Sequence, residues 1–86
     1  MPEISRFFGI VITMYAHDHG PPHFHARYGE YFAKYSIEDL RLLDGTLPSR
    51  VNAFVLEWAF IHRTELMENW EALIQDKPIV KIQPLV

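Results

Sequence analysis

His23-Phe24-His25-Ala26-Arg27-Tyr28-Gly29-Glu30-Tyr31-Phe32-Ala33-Lys34-Tyr35-Ser36-Ile37 holds two runs of alternating side chains on either side of a Gly-Glu pair. Period-two alternation is the mark of a half-buried strand. It puts His23, His25 and Arg27 on one face of the first run and Phe24, Ala26 and Tyr28 on the other. In the second run Tyr31, Ala33, Tyr35 and Ile37 share a face while Lys34 and Ser36 point away. Gly29-Glu30 supplies a tight reversal, so the stretch reads as an antiparallel hairpin.

Upstream, residues 7–15 read Phe-Phe-Gly-Ile-Val-Ile-Thr-Met-Tyr, rich in aromatic and β-branched types and followed by a Gly20-Pro21-Pro22 turn. This predicts one more strand, with Phe8, Ile10, Ile12 and Met14 on the apolar face and Val11, Thr13, Tyr15 and His17 on the wetter one. A short fourth strand is placed at residues 40–43, before an Asp44-Gly45 turn. From Pro48, suited to a first helical position, to Gln75 there is no glycine or further proline, which predicts a helix. Unbroken, those 28 residues would run about 42 Å. A domain of this size is only about 30 Å across. The helix therefore breaks or projects onto a partner. Its apolar line, Val51, Phe54, Val55 and Trp58, leads at helical spacing to His62, Glu65 and Asn69, while Leu66, Trp70 and Leu73 lie rotated away. Residues 53–61 are apolar on nearly all sides except at Glu57, which suggests burial on several faces or a homodimer through the helix. The tail, residues 79–84, alternates weakly, and its prolines suit an edge strand. The fold class expected is α+β: a three- to four-stranded antiparallel meander packed on a long or broken C-terminal helix, with residues 1–86 as a single domain.

Composition narrows the function. The chain of 86 residues has 49% hydrophobic residues, 8 Lys+Arg against 11 Asp+Glu for a net charge of −3, and no cysteine. Absence of cysteine excludes disulfides, thiolate zinc sites and cysteine nucleophiles. The acidic balance argues against nucleic acid as a direct electrostatic target. No leading signal segment is visible, and the longest nearly apolar run is too short to span a bilayer. A cytoplasmic protein with no membrane partner is expected.

Four of the five histidines lie between His17 and His25. Histidine is the commonest metal ligand and titrates near neutral pH. His23 and His25, on one strand face, stand about 6.6 to 7 Å apart at Cα, a span two imidazoles can close. His19 or His17 across the stiff Pro-Pro turn is the candidate third ligand, with Asp18 or His62 as a fourth. Zinc takes three or four such ligands at about 2.0 to 2.1 Å, and a site with an open position serves hydrolysis. The cofactor candidate is therefore zinc or another divalent transition metal. Two alternatives stand beside it. One is a polar loop network in which the imidazoles bond backbone carbonyls. The other is metal-free acid–base chemistry with Arg27 or Arg50 nearby, as in a small ribonuclease. Glu57 lacks a cation at its four-residue spacings, so if buried it needs a partner from elsewhere, and Arg50 opposes the dipole of its helix, which calls for a carboxylate or phosphate partner. Trp58 and Trp70 read as core.

Taken together, Asp18-His19-Gly20-Pro21-Pro22-His23-Phe24-His25, Tyr28-Gly29-Glu30-Tyr31, Gly45-Thr46-Leu47-Pro48-Ser49-Arg50, Glu57-Trp58, residues 62–66, Asn69-Trp70 and Lys81-Ile82-Gln83-Pro84-Leu85 closely resemble the small bacterial proteins grouped as domain of unknown function 4160. Asp18, His19, His23, His25, Arg50, Glu57, Trp58, His62, Glu65, Asn69 and Trp70 match that family's motif positions, whereas His17 does not. The resemblance implies a component of a two-gene cassette, similar to a toxin–antitoxin pair, with a small protein encoded alongside as partner; the function expected is that of a partner-binding module, the alternative being a small metal-dependent hydrolase or nuclease that uses the histidine cluster. It also joins the histidine hairpin to the helix. The expectation is that Glu57 and His62 approach His19, His23 and His25 in one polar site, the catalytic candidates being His23, His25, Glu57 and His62, with Asp18, Arg50 and Glu65 around them.

Overall fold

The computed structural model describes residues 3–86. Five strands, β1 (Glu3–Phe7), β2 (Ile10–Thr13), β3 (His23–Tyr28), β4 (Tyr31–Ser36) and β5 (Leu42–Thr46), form one antiparallel sheet in the order β1-β2-β3-β4-β5. Two helices follow, α1 (Ser49–Ile61) and α2 (Arg63–Ile74). The α+β class and the β3–β4 hairpin are as the alternation predicts, with Tyr28 opposite Tyr31 at the Gly29-Glu30 reversal. The strand count is not.

The single strand expected at residues 7–15 is instead a hairpin. Phe8 (φ 50°) and Gly9 (φ 78°) are both in the left-handed region, as a two-residue turn that follows the sheet twist requires. Phe7 pairs with Ile10 across it. The expected strand at residues 40–43 is shifted to β5, which runs through Asp44 and Gly45 rather than turning there. The ladder slips one residue between Lys34 and Tyr35 of β4, and Gly45 adopts φ 72° beside it. A Cβ on Gly45 would lie 2.1 Å from the Phe32 carbonyl oxygen. Gly45→Ala is accordingly expected to cost about 2 kcal/mol or more and to lower Tm by about 8 °C or more, measured by thermal circular dichroism.

The 28-residue helix resolves into two. The longest dimension of the protein is 34 Å, shorter than the unbroken rod, and the chain turns at His62 (φ −111°, ψ 24°). The His62 N–H is shared between the Trp58 and Ala59 carbonyls, and its own carbonyl accepts from the Leu66 N–H at 2.9 Å, so one residue ends α1 and opens α2. Pro48 precedes the first helical turn as its cap instead of occupying it. The break brings Leu66 and Trp70 to the same core as Val55 and Trp58, where Ile4, Ile10, Ile12, Phe24, Ala33 and Tyr35 meet them from the sheet. Burial pushes the Tyr35 phenol up to about 12, keeping it a donor to the Asn52 side chain of α1.

The tail forms no strand. It is tied along β1 by isolated bonds: the Ile82 N–H donates to the Ile4 carbonyl at 2.8 Å, and the Ser5 hydroxyl donates to the Ile82 carbonyl at 3.0 Å. Asn69 of α2 brackets Val80 from both sides, donating to its carbonyl and accepting from its N–H, each at 2.8 Å. The Trp58 indole N–H donates to the Gln83 carbonyl at 2.8 Å. Among the described residues no helix is long and apolar enough to cross a membrane.

Candidate metal centre

The loop between β2 and β3 turns at His17 (φ 63°) and Gly20 (φ 92°), which folds Asp18 back over the start of β3. His23 and His25 project from the same strand face toward it. Asp18 Oδ2 lies 2.8 Å from His23 Nε2 and 3.3 Å from His25 Nε2. One ligand atom from each of Asp18, His23 and His25 falls within 4.8 Å of the other two. Ligands bound around one zinc ion at about 2.0 to 2.2 Å stand about 3.2 to 3.6 Å from one another, so closing the widest separation by about 1.2 to 1.6 Å would gather the three around a cation.

Each of the three side chains is held from behind. His23 is 1% exposed, packed against the Trp70 ring of α2 at 5.0 Å, and its Nδ1–H donates to the Pro21 carbonyl at 2.8 Å. A carbonyl oxygen only accepts, so Nδ1 carries a proton and Nε2 is the nitrogen that faces Asp18. This backing of an imidazole by a backbone carbonyl is the usual support of a metal-ligating histidine. His25 is flanked by Tyr15, edge-on at 4.8 Å, and by Phe32, stacked at 5.6 Å. Asp18 Oδ1 accepts the His19 N–H at 3.1 Å, which leaves Oδ2 for the imidazoles.

The charges follow from this packing. Partial burial works to raise the Asp18 carboxyl, but hydrogen bonds from His23 and His25 outweigh it and hold the group below the ordinary carboxylate value. Desolvation lowers His25 below the ordinary histidine value, opposed only in part by the Asp18 bond, which favours a neutral ring near pH 7.

The remaining candidates lie elsewhere. His19 contributes its backbone N–H, and its ring is exposed and outside the cluster. The His62 ring sits against Trp58 at 5.6 Å and its Nδ1 pairs with Glu65 one turn along α2. It does not join the hairpin, because the helix break turns it toward its own successor. Glu57 is exposed on α1, where solvent supplies what the sequence reading sought from a buried cation. Arg50 is exposed too and lies over the Phe54 ring at 5.7 Å, an aromatic neighbour in place of the expected anion. His17, also exposed, faces Asp76 at 3.8 Å. The expected single site joining Glu57, His19 and His62 to His23 and His25 is thus replaced by a smaller one of Asp18, His23 and His25.

A family model, described as a domain of unknown function (DUF4160), matches residues 9–71. The chain belongs to the DUF4160 family. The matched DUF4160 segment runs from the β1–β2 turn into α2, so it contains all three clustered residues and the Trp70 behind His23, while β1 and the tail fall outside it. No curated protein and no solved structure matches the chain.

Sequence reasoning missed Tyr15 and Phe32, the two aromatic walls of His25. Their signal was present in part: the alternation of β2 puts Tyr15 on the wetter face. Phe32 pairs with Arg27, two positions along β3 from His25, which stands opposite Lys34, a neighbourhood that only the strand register reveals.

Proposed function

We propose that the chain is a small metal-dependent hydrolase that holds a divalent transition metal, zinc foremost, between Asp18, His23 and His25. One observation carries the reading: His23, its Nδ1 tied to the Pro21 carbonyl, aims its other nitrogen at the carboxylate oxygen on which His25 also converges. Two arrangements satisfy the His23–Asp18 contact. One is a second proton on His23, giving an imidazolium–carboxylate pair. The other is a cation shared by Nε2 and Oδ2, with His25 as a third ligand at the same point. Two imidazoles and one carboxylate match a catalytic rather than a structural zinc set, since a fourth position stays open. Such an ion supplies Lewis acidity at neutral pH. His23 is fixed by Trp70 and Pro21, while His25 faces an open concavity on the sheet.

The test is hydrolysis of an activated phosphodiester or ester with and without zinc and a chelator. Turnover that is restored by zinc and falls at least tenfold in His25→Ala supports the reading. Turnover indifferent to metal, or its absence in zinc-loaded protein, sinks it.

A second reading rests on a different surface. Phe60 is 70% and Ile61 60% exposed at the end of α1, and Phe60 borders an open groove with Ile37, Arg63 and Met67. Exposed aromatic surface of this kind marks protein-binding sites. The surface fits a partner-binding component of a two-gene, toxin–antitoxin-like system, with the small protein encoded alongside as occupant. Phe60→Glu is expected to abolish co-purification of that co-expressed protein while leaving Tm within about 2 °C. Retained co-purification would dismiss the surface.

A further inference from the structure

The face of the sheet turned away from the helices is open, and the register aligns its side chains in two rows. Arg6, Val11, Arg27 and Phe32 stand in one cross-strand row, and Glu3, Thr13, His25 and Lys34 in the next. Between them, with Tyr15, lies a concavity of about 280 Å³ that His25 lines. Its volume is near the lower bound of about 300 Å³ for small-ligand sites, enough for one compact ligand and too small for a polymer.

The charges in it are unequal. Arg6 is engaged bidentately by Glu3, at 2.8 and 3.2 Å, so those two cancel. Arg27 is exposed and forms no ion pair among the described residues, and Lys34 sits directly opposite His25. In a chain of net charge −3, this leaves a local cationic spot of one or two charges beside the candidate metal centre. The guanidinium of Arg27 is two residues along the strand from His25, about 6.6 to 7 Å at Cα. That spacing suits an anion lying between them. A guanidinium recognises phosphate with paired N–H donors. Beside Arg27, across the β3–β4 ladder, Phe32 is 40% exposed, a stacking surface for a planar ring.

We infer that this concavity seats a mononucleotide, its phosphate on Arg27 next to the Asp18–His23–His25 cluster and its base against Phe32. One or two net positive charges match a single phosphate group, whereas the overall negative charge of the chain opposes a long polyanion. That the bound nucleotide is the substrate of the hydrolase rests on the metal reading above. Its binding does not.

The experiment is calorimetric titration of 5′-AMP, adenosine and inorganic phosphate into the full chain, both metal-free and zinc-loaded, with zinc titrated separately. AMP is expected to bind with Kd below about 1 mM, and adenosine or phosphate alone at least about tenfold more weakly. Arg27→Gln should weaken AMP about tenfold and leave zinc affinity unchanged. Phe32→Ala should weaken AMP and adenosine by the same factor. Zinc binding with no detectable AMP binding in either form overturns the nucleotide site and leaves the metal centre standing. AMP binding without zinc binding does the reverse. Unchanged AMP affinity in Arg27→Gln, or a short single-stranded oligoribonucleotide bound more tightly than AMP, also overturns it.

Discussion

Trp58→Ala is expected to leave the chain largely unfolded at 37 °C. Trp58 is the largest of the fully buried side chains. Its ring meets Phe7 of β1 at 5.4 Å, Phe24 of β3 at 6.1 Å and His62 at the helix break at 5.6 Å, so it ties the sheet to both helices. Its indole N–H also anchors the tail at the Gln83 carbonyl. Truncating a buried aromatic to alanine costs about 3 to 5 kcal/mol. The lost tail bond adds about 1 kcal/mol. A domain of this length has a total stability of about 4 to 13 kcal/mol. The substitution therefore removes a large share of what holds the fold. Urea unfolding followed by circular dichroism measures it, with Trp58→Phe as the companion that keeps most of the ring and loses only the indole bond. Trp58→Ala with an unfolding midpoint close to that of the native chain would show that the tryptophan is not the keystone described here.

The parts of this fold that were legible in the sequence are those where one local rule acts alone. Alternation from His23 to Ile37 around Gly29-Glu30 fixes β3 and β4, their faces and their pairing. The helix break was legible only as one of two outcomes, a break or a projection onto a partner, because the rotation of the apolar stripe at His62 and a length the domain could not hold fit both. The first hairpin was hidden because Gly9 stands between two stretches of the same β-rich composition, and the turn also needs Phe8 at positive φ, which its propensity does not announce. At β5 the Asp44-Gly45 pair looked like a reversal, whereas the glycine is used for a close approach to Phe32 in a slipped ladder. The site divides the same way. That His23 and His25 share a face follows from strand period alone. That Asp18 completes the group, and that Glu57 and His62 do not, depends on a loop folding back and on a helix turning away. Neither the loop's path nor the helix's leaves a periodic trace in the chain.

His23→Ala is expected to lower zinc affinity at least about a thousandfold. Three converging donors become two, and an imidazole oriented by the Pro21 carbonyl and Trp70 is lost; removing even an outer partner of a ligand costs about 10- to 100-fold. The remaining pair, Asp18 and His25, is no better than many surface pairs. Because His23 is buried, the substitution also leaves a void against Trp70, so loss of binding must be separated from loss of fold. Asp18→Asn makes that separation. It conserves volume on a partly exposed residue, removes the carboxylate, and should reduce zinc affinity by a similar order with little change in Tm. His19→Ala and His62→Ala act as controls, and each should bind zinc within about threefold of the native chain, since neither ring reaches the cluster. Calorimetry at pH 7.5 on the five proteins, with circular dichroism alongside, gives the result. Equal losses in His62→Ala and His23→Ala would restore the larger site that the sequence pattern suggests. Native protein that takes up no zinc, together with a His23→Ala variant that fails to fold, would assign the Asp18–His23–His25 group to a structural ion-pair network instead.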